Sequence, residues 1–154
     1  MTNCFIIAET ACAHDGSLER LLDLAVAAAE AGADAVQFQV WETTDIVVPN
    51  HPDIELLRRI EMGRNNWVRC FETTKQKFPE LEIIACVGDL NALQLCADLG
   101  ADAFKIHTSD LGNRELLEAA AALGKRIDLS VGASTLPEIQ KALDWIGDAC
   151  PVWL

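Results

Sequence analysis

The residues that could do chemistry are concentrated at positions 103–110, where a short apolar run ends in polar side chains. Lys105 stands inside the run, and His107, Thr108 and Asp110 follow it. An apolar run with polar residues at its end is typical of a buried strand whose carboxyl end opens onto a site. Because burying an unpaired ammonium group is costly, Lys105 must reach solvent, pair with a carboxylate or bind a ligand.

The Gly-Ala-Asp-Ala phrase that precedes this run also occurs at 32–35, where it leads into Gln37 and Gln39. Glu9 ends the first apolar run of the chain, and His14 lies in the loop after it. A carboxylate at the end of a buried strand is costly unless it meets a cation, so we interpret Glu9 as a functional residue. His14 has two interpretations, a loop histidine bonded to the backbone or a member of the site.

Six apolar runs predict β-strands, at 4–8, 35–40, 81–85, 103–107, 127–131 and from 151 onward. Apolar residues at helical spacing predict a helix after each of the first five strands: from a Ser17 cap to Gly32, from Asn65 or Asn66 towards Pro79, and at 91–99, 114–123 and 137–146. A further helix is predicted at 54–61, after a long loop at 41–53. This alternation predicts a parallel sheet with right-handed crossovers.

Two architectures fit that alternation, an open doubly wound sheet and a (β/α)8 barrel. No G-x-G-x-x-G sequence follows the first strand, and polar residues end at least four strands: Glu9, Gln39, Lys105 with Thr108, and Ser130. A barrel gathers all its strand ends around one axis, so we predict an α/β fold, a TIM barrel. Since a barrel needs about 250 residues, we interpret residues 1–154 as one domain, the N-terminal portion of the barrel, with five βα units and the start of strand six.

The composition argues against several classes of partner. A net charge of −12 disfavours nucleic acid and anionic membranes, which select for Lys and Arg. The six cysteines form no C-x-x-C pair, so we expect them to be reduced. The N-terminal apolar run is too short for a signal sequence or a membrane span, and no positive charge precedes it, which predicts a cytoplasmic protein.

Five motifs stand in an order and spacing that resemble the sialic acid synthase family, the N-acetylneuraminate and pseudaminate or legionaminate synthases. They are Ile-Ala-Glu at 7–9, His-Asp-Gly-Ser at 14–17, the segment 30–39, Asp-Ala-Phe-Lys-Ile at 102–106, and the Leu-Ser pair at 129–130 with Gly132, Ser134 and Thr135. The similarity extends along the whole chain. Each motif alone is weak, but five in register make the resemblance specific.

The resemblance implies an enzyme that condenses phosphoenolpyruvate with an N-acetylated amino sugar, releasing phosphate and forming a nine-carbon 2-keto acid. It also implies a divalent metal, Mn²⁺ or Mg²⁺, whose histidine ligands lie beyond strand six and hence outside this chain. Catalytic roles are implied for Glu9, Asp110 and His14. Substrate-binding roles are implied for Lys105, Thr108, Ser130, Gln39 and Gln37.

The chain departs from the family at several of these positions. Gln37 replaces a lysine, Cys86 replaces a strand-three hydroxyl, and Ala13 replaces a loop asparagine. Each lost charge-assisted hydrogen bond is worth about 1.5–3 kcal/mol, so the phosphoenolpyruvate site is expected to be altered. His107 stands where the family has alanine, and we interpret it as filling space against Cys86, with a proton-transfer or metal-binding role as the alternative.

Other functions stay open from the sequence. Lys105 could pair with Asp102 or Asp110, or it could form a Schiff base in an aldolase-like barrel. A third hypothesis is a catalytically decayed module for binding or assembly. Because six parallel strands do not close a barrel, their unpaired edges predict a homo-oligomer or association with the remainder of the barrel.

Overall fold

Strands and helices alternate along residues 4–154, the part of the chain that the computed structural model describes. The strands are β1 (Ile7–Glu9), β2 (Ala35–Val40), β3 (Glu82–Val87), β4 (Ala103–Ile106), β5 (Arg126–Leu129) and β6 (Val152–Trp153). The helices are α1 (Leu18–Glu30), α2 (Thr43–Ile46), α3 (Ile54–Ile60), α4 (Arg64–Lys77), α5 (Leu90–Asp98), α6 (Arg114–Ala122) and α7 (Leu136–Ile146). The six strands follow one another across one sheet in chain order.

The chain divides into two compact units after Ile84. In the first unit β1 pairs with β2 in parallel. In the second, β4 pairs with β5 and β5 with β6, both in parallel. Parallel pairing and near-complete burial of β2, β4 and β5 confirm the predicted α/β class.

In the first unit, helix α1 begins where the sequence predicts. The Ser17 side chain accepts a hydrogen bond from the Arg20 backbone N–H at 3.2 Å, and Gly32 follows the helix with φ of +80°. Its inner face buries Leu21, Ala25 and Ala28. A left-handed residue after the last turn ends a helix at little cost when it is glycine.

An aromatic cluster fills the core of the first unit. The Phe38 ring lies 5.8 Å from the Phe71 ring and 6.2 Å from the Trp67 ring, centroid to centroid. Trp67, Phe71 and Cys70 are buried on α4, as their helical spacing predicts. Burial raises the pKa of the Cys70 thiol to about 12, so it acts as a small apolar residue.

In the second unit, polar side chains cap each helix. Asp89 accepts from the Ala92 N–H at 2.8 Å at the start of α5, and Asn113 accepts from the Leu116 N–H at 3.2 Å at the start of α6. Helix α7 begins with a capping box between Thr135 and Glu138. These caps satisfy N–H groups that a helix leaves unbonded, and they fix where each helix begins after its strand.

Three predicted boundaries are wrong, two of them because of hydrogen bonds between residues that are distant in the sequence. Residues 4–6 are not part of β1, because the Asp34 carboxylate takes the Ile6 N–H at 2.7 Å. The predicted loop 41–53 contains α2, whose first residue, Thr43, donates its backbone N–H to the Glu61 carboxylate at 2.9 Å. Helix α4 is preceded by Gly63 with φ of +69°, and neither Asn65 nor Asn66 is its N-cap.

Strand β3 is longer than predicted and runs through Cys86 to Val87. Both residues are buried, so the strand continues into what the sequence indicated as a loop. None of the helices within residues 4–154 has the length and hydropathy needed to cross a membrane. All six cysteine thiols are free.

Candidate functional site

In the first unit, the strand ends bring Glu9 and Gln39 together. Glu9 is opposite Gln37 in the parallel register, and Gln39 lies two residues further along β2 on the same face. The Gln39 side-chain N–H donates to a Glu9 carboxylate oxygen at 2.9 Å. The carboxylate is exposed, so the amide orients it while leaving its other oxygen open to solvent.

Cys12 supports this pair, and the sequence analysis did not identify it. Its thiol donates to the Gln39 side-chain oxygen at 3.7 Å. Burial raises the pKa of the Cys12 thiol, so the thiol keeps the proton that it donates. With its oxygen bonded to Cys12, the Gln39 amide directs its N–H group at Glu9.

Gln37 lies on the same face as Glu9 and Gln39 but is buried. Its backbone oxygen accepts two hydrogen bonds from Thr10, one from the N–H at 3.1 Å and one from the hydroxyl at 3.0 Å. These two hydrogen bonds from Thr10 connect the loop after β1 to β2. The position where the resemblance implies a lysine is therefore a packed one.

His14 is buried in that loop. Its Nδ1 accepts from the Gly16 N–H at 3.1 Å, and its ring meets the Trp67 ring edge-on at 6.2 Å between centroids. Burial lowers the pKa of His14, against the opposing effect of Asp15. His14 is thus a neutral imidazole with its proton on Nε2, and Nε2 finds no partner among the described residues.

The structure does not join His14 to Glu9 or Gln39 by a hydrogen bond within residues 4–154. Glycine is required nearby: a Cβ on Gly16, which has φ of +79°, would lie 2.5 Å from the Arg59 backbone oxygen. Ala11 and Asp15 also have positive φ values, +45° and +51°. The loop therefore holds His14 through a strained backbone, an arrangement that is frequent near functional sites.

In the second unit, β4 and β5 place Lys105 and Ser130 on the same face of the sheet. Lys105 is opposite Asp128 in the register, and Ser130 follows Asp128 by two residues. The Ser130 N–H donates to the Ile106 oxygen at 2.9 Å, which extends the pairing past the end of β5. Residues opposite each other in parallel strands point to the same side, and so do residues two apart.

Lys105 is half-buried and has no hydrogen bond or ion pair with any residue in the described part of the chain, 4–154. The suggested pairing with Asp102 or Asp110 does not form. A half-buried ammonium without a counterion is a favourable place for an anionic ligand, because the ligand does not have to displace a protein carboxylate.

Thr108 and Asp110 lie on a single 3-10 turn, Thr108–Asp110, directly after β4. A Cβ added to Gly132 would lie 3.8 Å from the Thr108 hydroxyl oxygen, and one added to Gly88 would lie 3.8 Å from an Asp110 carboxylate oxygen. Both polar groups therefore face glycines in neighbouring strand-end loops. The Ser109 hydroxyl donates to Asp110 at 2.9 Å and fixes its orientation.

His107 does not fill space against Cys86. His107 is exposed at the start of the 3-10 turn, whereas Cys86 is buried in β3 with 3% of its surface exposed. An exposed imidazole cannot occupy a cavity in the core, so that interpretation is wrong. Its exposure at a strand end keeps the proton-transfer alternative open.

The sequence analysis also missed an ion pair beside Lys105. Arg126 and Asp128 bond to each other on β5, with Nε 2.9 Å from Oδ1. Their i, i+2 spacing in an apolar strand was the available signal, because it places two opposite charges on one face.

In the part of the chain that is described, no three His, Cys, Asp or Glu side chains are grouped so that they could hold a metal ion. These residues therefore do not fit a metal site by themselves.

A sequence model of the NeuB family matches residues 24–151. The chain belongs to the NeuB family. The predicted resemblance to sialic acid synthases is thereby confirmed at the level of the family.

Two curated relatives and one solved structure resemble this NeuB chain. An uncharacterized protein of Methanocaldococcus jannaschii is 31% identical over 139 residues, which are 90% of this chain and 41% of that protein. N,N'-diacetyllegionaminic acid synthase of Legionella pneumophila is 27% identical, with 93% of this chain and 44% of that enzyme covered. The crystal structure of N-acetylneuraminic acid (sialic acid) synthetase from Leptospira borgpetersenii, in complex with citrate, matches with a TM-score of 0.88 and 30% identity, over 96% of this chain and 52% of that chain.

The NeuB chain thus spans less than half the length of these curated relatives. Its fold is that of the first part of a TIM barrel, five βα units and strand six, as predicted. The fold class is therefore confirmed.

Proposed function

We propose that the chain is the N-terminal part of a sialic acid synthase-like enzyme. In this proposal the enzyme condenses phosphoenolpyruvate with an N-acetylated amino sugar, consumes water, releases phosphate and forms a nine-carbon 2-keto acid. The observation that carries the proposal is the half-buried Lys105 ammonium, which has no partner among residues 4–154 and shares a face with Ser130.

The second unit supports a role in holding phosphoenolpyruvate. A phosphate dianion needs a positive charge and several neutral donors aimed at it. Lys105 would supply the charge, and the hydroxyls of Ser130 and Thr108 the neutral donors. The Thr108 hydroxyl faces Gly132, whose missing side chain leaves room for a ligand oxygen beside it.

The first unit supports a role for Glu9 beside the reacting carbons. A carboxylate that accepts a hydrogen bond from the Gln39 amide at 2.9 Å keeps its direction. Such a group suits the stabilisation of positive charge or the acceptance of a proton in the condensation. Asp110, bonded to Ser109, is the second proposed carboxylate. The buried His14 would donate a hydrogen bond from its Nε2 N–H to a substrate group.

A divalent ion, Mn²⁺ or Mg²⁺, is expected to be bound by histidines outside this chain. Legionaminic and sialic acid synthases are among its relatives, so an N-acetylated amino sugar is the expected acceptor. Gln37 and Cys86 remove a charge and a hydroxyl from the expected phosphoenolpyruvate site, which predicts weaker binding than in family members with Lys and Thr there.

Two measurements test the proposal. Calorimetry of the chain with phosphoenolpyruvate measures binding, and a phosphate-release assay of the native polypeptide with phosphoenolpyruvate, Mn²⁺ and a panel of N-acetylated hexosamines measures turnover. We expect saturable binding and sugar-dependent phosphate release. If neither sugar-dependent phosphate release nor a 2-keto acid product is found, the proposed reaction is wrong.

A Schiff-base aldolase is the alternative that the unpaired Lys105 amine also favours, because an unpaired amine can attack a carbonyl. Imine formation releases water and borohydride reduction adds two hydrogens, so trapping with a 2-keto acid would add the mass of the acid less one oxygen atom to Lys105 in an aldolase. No such adduct is expected if Lys105 only binds phosphoenolpyruvate.

We also propose that the two ends of the strand order are covered by another polypeptide segment. Ile7, the first residue of β1, and Ile6 before it are 36% and 54% exposed. Trp153, the last residue of β6, and Leu154 after it are 44% and 70% exposed. Exposed apolar side chains on edge strands favour association with the rest of a barrel or with a second copy. Sedimentation of the chain tests this, and a monomer that unfolds cooperatively at high temperature would contradict it.

A further inference from the structure

An ion pair with two contacts lies next to Lys105. The Arg126 Nε is 2.9 Å from Asp128 Oδ1, and its Nη2 is 3.5 Å from Asp128 Oδ2. The two side chains are only 13% and 9% exposed. Both oxygens of this nearly buried carboxylate are therefore directed at one guanidinium group, a geometry that arginine provides and lysine does not.

Trp153 holds the guanidinium from another side. The Arg126 Cζ lies 4.0 Å from the centre of the Trp153 ring, and Trp153 is opposite Asp128 in the register of β5 and β6. An arginine that is bonded to a carboxylate and stacked on an indole has little freedom to move. The ion pair is thus fixed in place on the face of the sheet that carries Lys105.

Lys105 is within reach of the same carboxylate. Lys105 and Asp128 are opposite each other on neighbouring parallel strands, which lie about 4.8 Å apart. A lysine whose side chain leaves the same face of the sheet beside a free carboxylate would ordinarily pair with it. Lys105 nevertheless has no ion pair within the described residues. The neighbouring lysine, Lys125, is engaged by the Ala101 backbone oxygen.

We propose that Arg126 is a positioning residue, which neutralises Asp128 and so keeps the Lys105 ammonium unpaired for an anionic ligand that carries phosphate and carboxylate groups. The proposal rests on the proposed role of Lys105 in binding phosphoenolpyruvate. Without Arg126, a nearly buried carboxylate would have no counterion, and Lys105 is the cation opposite it in the register. The lysine would then be held by Asp128, and a ligand would have to break that pair before it could bind.

Chemical labelling of lysines tests this without a ligand. The rate of acetylation by acetic anhydride is measured for each lysine by mass spectrometry in the wild-type chain, in Arg126→Met, in Asp128→Asn and in the double variant. We expect Arg126→Met to slow the labelling of Lys105 about fivefold relative to Lys141, because an ion pair holds the proton on the amine. The double variant should restore the wild-type rate.

Asp128→Asn should not slow the labelling of Lys105, because it removes the carboxylate that could hold the ammonium group and leaves the Arg126 cation beside it. Slower labelling in that variant would mean that an anion other than Asp128 holds Lys105, and would overturn the proposal. So would an unchanged rate in Arg126→Met. If Arg126→Met fails to fold by circular dichroism, Arg126→Gln replaces it with the same expected slowing, and an unchanged rate there overturns the proposal. Arg126→Lys, which keeps a cation beside Asp128, should label Lys105 faster than Arg126→Gln does.

Arg114→Met is the matched control. Arg114 also forms an ion pair, with Glu118 at 2.7 Å, but both side chains are exposed, 64% and 46%. Its removal should change neither the Lys105 labelling nor ligand binding. A slower Lys105 rate in this variant would indicate a general effect of removing an arginine and would count against the proposal.

Calorimetry with phosphoenolpyruvate links the inference to the proposed function. We expect Arg126→Met to weaken binding about tenfold and the double variant to recover to within about twofold of wild type. Equal losses in both variants would mean that Arg126 has a structural role only. If the wild-type chain does not bind phosphoenolpyruvate, the proposed function fails, while the labelling rates still decide whether Arg126 keeps Lys105 unpaired.

Discussion

Glu9 in the first unit and Lys105 in the second both lie near the carboxyl ends of strands, yet their surroundings differ. Glu9 accepts a hydrogen bond from Gln39, which is itself bonded to Cys12. Lys105 has no partner in the described chain, and the carboxylate opposite it is taken by Arg126. One charged group is thus held by neutral neighbours, and the other is left open.

This difference is consistent with two different tasks. A carboxylate that is oriented by an amide is suited to act in a fixed direction on a nearby atom. An unpaired ammonium gains its first charged partner when a ligand arrives, so its full charge contributes to binding. We therefore expect changes at Lys105 to appear in affinity and changes around Glu9 to appear in turnover.

The largest expected effect is that of Lys105→Met on phosphoenolpyruvate affinity. The loss of a hydrogen bond to a charged group is worth about 1.5–3 kcal/mol, which corresponds to a weakening of about 10- to 150-fold. Isothermal titration calorimetry measures it. Lys141→Met, which removes an exposed lysine from α7, serves as the control. Similar affinities for Lys105→Met and wild type would remove Lys105 from the site.

Gln39→Leu should have a smaller effect and a different one. It leaves the Glu9 carboxylate unoriented, and because Glu9 is exposed, water can replace the lost bond. We expect kcat/KM of the native polypeptide for the sugar to fall about three- to tenfold, with phosphoenolpyruvate affinity unchanged.

Gln94→Leu is the control for that variant, because Gln94 donates to Asp98 at 2.8 Å in an exposed pair on α5. Its turnover should equal that of wild type. A Gln39→Leu variant that loses affinity and keeps turnover would reverse the division of tasks between the two units.

The alternation of strands and helices was predictable because buried parallel strands leave continuous apolar runs and their helices leave a 3.6-residue period. The elements that were missed depend on distant contacts. Helix α2 is only four residues long and is anchored by Glu61, and the start of β1 is displaced by the Asp34 side chain. Neither contact leaves a local pattern.

The candidate site was predictable only in part. Alternation along a strand places Glu9, Gln37 and Gln39 on one face, and the bond from Gln39 to Glu9 follows from the register. The ion pair of Arg126 and Asp128 was missed because the predicted strand began one residue late, at 127, and excluded Arg126. No local sequence pattern indicates that Lys105 is unpaired. Its state depends on whether Asp128 forms its ion pair with Arg126 or with Lys105.

Cys86→Thr tests whether phosphoenolpyruvate binds in the second unit, where Lys105 is unpaired among the described residues. If phosphoenolpyruvate binds in the second unit, restoring a hydroxyl at the end of β3 should strengthen its binding about threefold, the value of one neutral hydrogen bond. Cys86→Val has nearly the shape of threonine without the hydroxyl and should give no gain. Equal affinities of the two variants would indicate that this position contacts a different ligand or none.

The smallest expected effect concerns the pH dependence of stability through His14. Burial holds the folded-state pKa of His14 below its ordinary value of 6.5, so at mildly acidic pH the unfolded chain binds more protons than the folded one. Stability should therefore be full above about pH 6.5 and decline as the pH falls below it. Thermal unfolding between pH 7.5 and 5.5 measures this decline above the pH range where most carboxylates titrate.

His14→Gln should flatten the decline, and His107→Gln, which removes an exposed imidazole, should leave it unchanged. If the decline persists in His14→Gln, a group other than His14 controls the pH dependence of stability. The buried imidazole would then contribute to the loop after β1 without making its stability depend on pH.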